Sequence, residues 1–91
     1  MTSKERARLR GLANGLDAIV HVGKNGIAPE ITVSLDEALA ARELVKIAVL
    51  NNSPVEPAEA AETLAARTQS EIVQIVGRKI VLWRCAEDGK K

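Results

Sequence analysis

The sequence is poor in the residues that build several kinds of functional site. Its 91 residues include one cysteine, one histidine and one tryptophan, and neither phenylalanine nor tyrosine. A single cysteine excludes an internal disulfide and a cysteine-rich metal site, and a single histidine excludes a histidine-rich one. With Trp83 as the only aromatic side chain, a platform of several aromatic residues stacked on RNA bases is excluded as well. We therefore expect neither a metal nor another cofactor.

Long hydrophobic runs are also missing. No apolar stretch approaches the roughly 18–20 residues that cross a membrane, and the polar N-terminus leads into no apolar segment of a signal peptide. Hydrophobic residues make up 46% and charged residues 27%, which is typical of a folded domain. We expect a cytoplasmic, monomeric protein with one domain over residues 1–91 and a core at about 3–85.

The net charge of +1 conceals an uneven distribution along the chain. Residues 1–26 carry five basic and two acidic side chains, residues 27–77 three and eight, and residues 78–91 five and two. If both termini fold to one side, a basic face opposes an acidic one, and such a face binds polyanions. A mixed, solvated surface explains the same distribution, and the charges alone leave both interpretations open.

The pattern of the sequence predicts the element order α-β-α-β-α-β-β. A capping box at Thr2 and Glu5 begins a helix that carries an apolar stripe of Leu9, Leu12 and Leu16 and frays near residues 14–15. Helices are also predicted at 29–41 and 57–67, each beginning with a proline. Strands are predicted at 18–22, 44–50, 72–76 and 79–84, the first of them covered on both faces.

The last two predicted strands form a hairpin, and the whole chain an α+β fold around a four-stranded mixed sheet. The turn Gly77-Arg78 fits a type II′ hairpin because glycine stands at its first central position. Two helical crossovers connect strands that should run parallel. The strand order is left open.

The segment Gly23-Lys24-Asn25-Gly26, between the first strand and the second helix, is the most informative motif. Free N–H groups at a helix start hold phosphate well, and a nearby lysine adds positive charge. The motif is neither a P-loop nor a dinucleotide-binding fingerprint, since the further residues of both are missing. When the motif is considered alone, a plain tight turn is the better explanation.

Four motifs in order resemble the CRM domain family, and in particular its free-standing bacterial YhbY-type members. The first two are Leu9-Arg10-Gly11-Leu12-Ala13-x-x-Leu16 and Val20-x-Val22-Gly23-Lys24-x-Gly26-Ile27. The others are Glu43-Leu44-Val45-Lys46-Ile47 and Val73-x-x-Val76-Gly77-x-x-Ile80-Val81-Leu82-Trp83-Arg84. Trp83 stands where the family more often has tyrosine, and Asp17 and Ala18 stand where it often has a basic residue and proline.

The resemblance implies a fold similar to the C-terminal domain of translation initiation factor three. It also implies binding to RNA, in particular ribosomal RNA in precursors of the large ribosomal subunit, and a role in ribosome assembly. In the family the glycine-bounded loop contacts RNA, which carries over to Gly23, Lys24, Asn25 and Gly26. We expect Arg6, Arg10 and Arg84 to share a basic surface with that loop, with Arg8 and Lys46 as further candidates.

Other functions remain as alternatives. A protein-interaction adaptor would bind a protein partner regardless of salt and retain no RNA. A DNA-binding protein of similar topology is a further possibility. A nuclease needs converging carboxylates, or a histidine beside a nucleophile, whereas the acidic residues here lie mainly on predicted helix faces. We therefore expect no catalytic residue and interpret His21 as a structural or partly exposed side chain. Trp83 is either a core residue or an RNA-facing one.

Overall fold

A computed structural model of the chain describes residues 2–84 and confirms the predicted element order. Residue 85, the single cysteine, and the lysines at 90 and 91 lie outside the described residues. The elements are α1 (Ser3–Ala13), β1 (Val20–Val22), α2 (Pro29–Arg42), β2 (Leu44–Val49), α3 (Pro57–Thr68), β3 (Glu71–Val76) and β4 (Lys79–Trp83).

The predicted helix boundaries are close to those observed. The Thr2 hydroxyl accepts a hydrogen bond from the Glu5 N–H, and the Glu5 carboxylate accepts one from the Thr2 N–H, which confirms the capping box at the start of α1. The helix ends at Ala13, just before the predicted fraying point. Pro29 and Pro57 occupy the first helical positions of α2 and α3, where a missing N–H costs nothing.

The sheet is mixed, with the strand order β1-β2-β4-β3. Strand β1 runs parallel to β2, and β4 is antiparallel to both of its neighbours β2 and β3. Both helical crossovers therefore connect strands of one direction, as predicted, but β4 lies between β2 and β3. In the hairpin turn Gly77 has φ +57 and Arg78 does not have a positive φ, as the predicted type II′ turn requires.

Helices cover both faces of the sheet, and each face has its own core. Helices α2 and α3 pack on one face, over a large cluster that includes Leu35, Ile47 and Leu64. Helix α1 packs on the other face through Leu9 and Ala13. The result is a three-layer domain in which the single helix α1 has to cover a face as wide as the one that two helices share.

Helix α1 covers only part of its face, and this corrects two predictions. Strand β1 was expected to be covered on both faces, but the His21 side chain is exposed because α1 ends before it reaches this strand. Leu12 was expected in the apolar stripe of α1, but it is 54% exposed. The helix contacts the sheet along the narrow line of Leu9 and Ala13, and Leu12 lies outside it.

Three loops meet at one edge of the sheet, which we call the loop edge. Val22 pairs with Val49 at the ends of β1 and β2, so residues 23–28 and 50–56 leave the sheet side by side. The hairpin turn at residues 77–78 lies at the same edge, because the Val49 N–H donates to the Arg78 carbonyl over 2.8 Å. The opposite edge carries the start of β2 and the end of β4, where Leu44 pairs with Trp83.

Candidate nucleic-acid interface

The loop at residues 23–26 forms a closed turn at the loop edge. The Gly26 N–H donates to the Gly23 carbonyl over 2.9 Å, which leaves Lys24 and Asn25 exposed at the tip. Gly26 has φ +66, and a Cβ added there would lie 3.2 Å from Cγ of Pro54. Glycine is therefore required at this position by both its backbone conformation and its neighbour.

Helix α2 begins two residues after the turn. Its N-cap residue is Ala28, which makes no side-chain cap hydrogen bond. Pro29 has no N–H and the Ile31 N–H donates to the Ala28 carbonyl over 3.0 Å, so one N–H of the first turn, that of Glu30, is left without a side-chain acceptor. An uncapped helix start beside an exposed lysine attracts a phosphate group.

A second loop supports the first, a relationship that the sequence did not reveal. The Leu50 N–H donates to the Val22 carbonyl over 2.8 Å, and the Leu50 side chain lies 3.6 Å from where a Gly23 Cβ would stand. The Asn52 side chain is 3.8 Å from the same point. Asn51 and Asn52 are exposed, so two more amide side chains lie beside the glycine-bounded turn. Only the pairing of β1 with β2 brings these distant residues together.

The hairpin turn adds positive charge to the loop edge. Arg78 and Lys79 are exposed, and the Arg78 backbone is bonded to Val49 next to the second loop. Neither residue was among the predicted RNA contacts. The sequence indicated these two residues only through the basic character of residues 78–91. Where that segment lies in the fold depends on the strand order.

The region of the sheet beyond α1 forms a second exposed surface. We call it the open sheet face; it consists of His21, Lys46, Gln74, Val76 and Lys79. His21 and Lys79 both pair with Ala48, and Lys79 also pairs with Val76, so one row of side chains crosses the whole sheet. Lys46, Val81 and Gln74 form the adjacent row on the same face.

Lys46 connects this face to α1. Its Nζ donates to the carbonyls of Ala13 and Leu16, over 3.5 Å and 3.3 Å. These carbonyls lie at and just after the end of α1, where a helix carries partial negative charge, so a cation there is favourable. Lys46 was predicted as a possible RNA contact; the structure gives it this structural role and leaves it half-buried.

Arg6, a predicted contact residue, is used inside the domain. The Arg6 guanidinium donates to the carbonyls of Ile72 and Val73, where the pairing of β3 with β4 shifts register. The side chain is half-buried, and the carbonyls that it binds lie at the irregularity of β3, away from the loop edge. Arg10 and Arg8 lie on the same helix and are exposed. The structure therefore leaves these two, rather than Arg6, available on α1.

Arg84 lies at the opposite edge of the sheet from Lys24. Its backbone N–H donates to the Glu43 carbonyl, and its side chain is 15% exposed. The six residues of β2 separate that edge from the loop edge by roughly 15–20 Å. The structure thus does not bring Arg84 together with Lys24, and it corrects the expectation of one shared basic surface.

Trp83 belongs to the core beneath α1. It is partly buried and packs against the cluster that contains Leu9 and Val81. Leu82 points to the other face and is fully buried beneath α2 and α3, as side chains alternate along a strand. The sequence left Trp83 either in the core or facing RNA, and the structure places it in the core.

The described part of the chain also bears on metal sites and membrane spans. Within residues 2–84 no cluster of three or more histidine, cysteine, aspartate or glutamate side chains could hold a metal ion. No helix among these residues is long and apolar enough to cross a membrane.

Comparisons with known proteins agree on one family. The model of the CRS1/YhbY (CRM) domain matches residues 1–84. The probable RNA-binding protein YqeI of Bacillus subtilis is 36% identical over 91 residues, which cover all of this chain and 95% of that protein. An RNA-binding protein of Haemophilus influenzae is 28% identical over 99% of this chain and 91% of its own length.

A solved structure is similar in fold. The solution structure of the hypothetical protein SAV1595 from Staphylococcus aureus matches with a TM-score of 0.80 and 41% identity. The match covers 93% of this chain and 88% of that one.

Proposed function

The chain belongs to the CRS1/YhbY (CRM) domain family, and we propose that it is a non-catalytic RNA-binding protein whose central contact is the loop at residues 23–26. One observation carries the choice of this loop: the turn closed by Gly26 exposes Lys24 and Asn25 beside the uncapped start of α2. The relatives named as RNA-binding proteins support the choice of ligand.

Phosphate contacts would supply most of the affinity. Lys24, Arg78 and Lys79 offer positive charge around the loop edge, and the Glu30 N–H at the start of α2 offers an uncharged donor. Phosphate contacts carry no sequence information, so the shape of the RNA would determine much of the specificity. Arg8 and Arg10 on α1 are exposed and offer further positive charge.

The finer proposal is an association with ribosomal RNA in precursors of the large ribosomal subunit, in the cytoplasm, by a monomeric protein that assists assembly. The four motifs shared with the CRM family support it. Sedimentation of a lysate on a gradient tests it directly. We expect the protein in fractions that contain large-subunit precursors, and its presence only in the unbound fraction would contradict the ribosomal part of the proposal.

The salt dependence of binding separates RNA recognition from an adaptor function. If three to five phosphates are engaged, the logarithm of the affinity for a single-stranded RNA should fall with log salt at a slope of roughly −2 to −4. A slope near zero, with salt-insensitive retention of a protein and no RNA, would favour the adaptor. Incubation of the RNA with the protein, with and without Mg²⁺, should leave the RNA intact.

A further inference from the structure

A pocket of about 120 Å³ opens on the open sheet face, beside the end of α1. It is lined by Asn14, Lys46, Gln74, Val76, Lys79 and Val81. None of these residues belongs to the loop at residues 23–26. The lining combines two valines, two amides and two ammonium groups. It therefore offers apolar surface together with hydrogen-bond donors and acceptors.

The pairing of the strands places the lining residues on one face of the sheet. Lys46, Val81 and Gln74 are paired across three strands, and Lys79 and Val76 are paired in the next row of the same face. Val81 is buried and forms the floor, whereas Val76 is 61% exposed and stands at the rim. Asn14 comes from the end of α1 and closes one side.

Lys46 provides a fixed charge in the wall of the pocket. Its Nζ is held by the carbonyls of Ala13 and Leu16, and an ammonium group has a third N–H to donate. No carboxylate within residues 2–84 forms an ion pair with it. A ligand with an acceptor oxygen or nitrogen would therefore meet a positioned donor.

We propose that this pocket receives one unstacked base of the RNA strand whose phosphates the loop at residues 23–26 holds, an inference that rests on the proposed function. A base has flat apolar faces, which suit Val76 and Val81, and an edge of mixed donors and acceptors. The amides of Asn14 and Gln74 can both donate and accept, so they can pair with such an edge. The pocket is open to solvent and smaller than the cavity of about 150 Å³ that encloses a benzene ring, so a base would enter edge first and leave part of its ring outside.

The pocket and the loop can be reached by one strand of RNA. Lys79 and His21 lie in the same row, two strands apart, which is about 10 Å. Gly23 follows His21 by two residues, so the row leads from the pocket to the start of the loop. His21 and Lys79 are exposed along this path.

A lone anion or an acidic peptide would explain the pocket less well. Either would be attracted by Lys46 and Lys79, but a lone anion has no donor for the amide oxygens of Asn14 and Gln74, and a glutamate-rich peptide has no flat ring to lie against Val76 and Val81. A base uses all three kinds of group.

Nuclear magnetic resonance titrations of the ¹⁵N-labelled full chain test the proposal. The probes are the four ribonucleoside monophosphates, ribose 5-phosphate, a glutamate-rich peptide and a single-stranded RNA decamer. We expect at least one nucleotide to shift the side-chain amide signals of Asn14 and Gln74, while ribose 5-phosphate and the peptide leave them in place. Equal shifts with ribose 5-phosphate or the peptide would overturn the base pocket in favour of an anion or peptide site.

The decamer distinguishes failure of the pocket from failure of the proposed function. If the backbone signals of Lys24 and Asn25 move with the decamer and those of the pocket do not, the pocket is overturned and RNA binding stands. If neither set moves, RNA binding itself fails and the pocket proposal fails with it.

A double variant measures the contribution of the amides. Asn14→Ala with Gln74→Ala should weaken binding of the preferred decamer about twofold to tenfold for each lost hydrogen bond, and should narrow the difference among decamers of different base. The salt slope should not change, because no phosphate contact is removed. Ser34→Ala, at an exposed position of α2 outside the loop edge and the open sheet face, is the control that should leave the affinity and the base preference intact. An unchanged base preference in the pocket variant would overturn the proposal.

Discussion

The Arg84 guanidinium lies 2.6 Å from the Asp36 carboxylate and joins the end of β4 to the middle of α2. The same guanidinium donates to the Thr68 carbonyl over 2.9 Å, at the end of α3. A third bond, over 3.0 Å, goes to the Asp36 carbonyl. One side chain thus connects the sheet to both helices of one layer.

We expect Arg84→Met to destabilise the domain by about 1–3 kcal/mol and to leave RNA affinity unchanged. The loss comes from the Thr68 carbonyl at the end of α3, which loses this donor, and from the two bonds to Asp36. Asp36→Asn should cost less, because the Asp36 side chain is 57% exposed and its ion pair is screened. Denaturant melts and RNA titrations of both variants check this, with Arg67→Met on the exposed side of α3 as control. A clear loss of RNA affinity in a stable Arg84→Met protein would contradict this and show that Arg84 contacts RNA.

The two adjacent residues Leu82 and Trp83 test the assignment of two separate cores. Leu82→Ala should cost about 2–5 kcal/mol, since the side chain is fully buried under α2 and α3. Trp83→Ala should cost about 2–4 kcal/mol, because the ring packs under α1 but is partly exposed. Far-ultraviolet circular dichroism during urea unfolding measures both values. The folded Trp83→Ala protein should bind RNA normally, and reduced affinity would contradict its placement in the core.

Gly26 and Gly11 provide a matched pair of glycine substitutions. Gly26→Ala should destabilise the domain by about 1–2 kcal/mol and weaken RNA binding, because φ +66 and the Pro54 ring both oppose a Cβ. A Cβ on Gly11 meets nothing within 4 Å, and this glycine lies inside α1. Gly11→Ala should therefore stabilise the protein by about 0.5–1 kcal/mol. Equal effects of the two changes on RNA affinity would contradict a special role for the loop.

Glu5 makes the capping box of α1 sensitive to acid. Hydrogen bonds from the Thr2 backbone N–H and from the Thr2 side chain lower the pKa of Glu5 from its ordinary value of 4.5. Because the pKa is lower in the folded state, the charged carboxylate stabilises α1 above about pH 4.5, and this contribution disappears as the pH falls through the folded-state pKa. Carbon-detected titration of the Glu5 carboxyl should show the lowered pKa. Glu5→Gln should keep the cap hydrogen bond and remove this part of the pH dependence; a Glu5 pKa at or above the ordinary value would contradict the observed bonding.

Local patterns in the sequence predicted the elements of the fold well, whereas long-range pairing determined most of the site. The capping box and the two helix-starting prolines depend on neighbouring residues, so their signals are complete in the sequence. The proximity of Asn52 to Gly23, and of Arg78 to Val49, depends on a strand order that the sequence left open. Arg6 and Arg84 looked like surface cations, because nothing local shows that distant backbone carbonyls receive their guanidinium groups.

The most direct test of the account is the RNA affinity of a charge-reversed loop tip. Lys24→Asp with Asn25→Asp changes the charge at an exposed turn and keeps both glycines, so the fold should persist. The matched control, Arg67→Asp with Gln69→Asp, makes the same change in net charge at the exposed end of α3. We predict that the loop variant loses about 1–3 kcal/mol of binding free energy for a ribosomal RNA fragment, measured by fluorescence anisotropy, and that the control loses much less. Equal affinities of the folded loop variant and the control would contradict the central claim that the loop at residues 23–26 is the principal RNA contact.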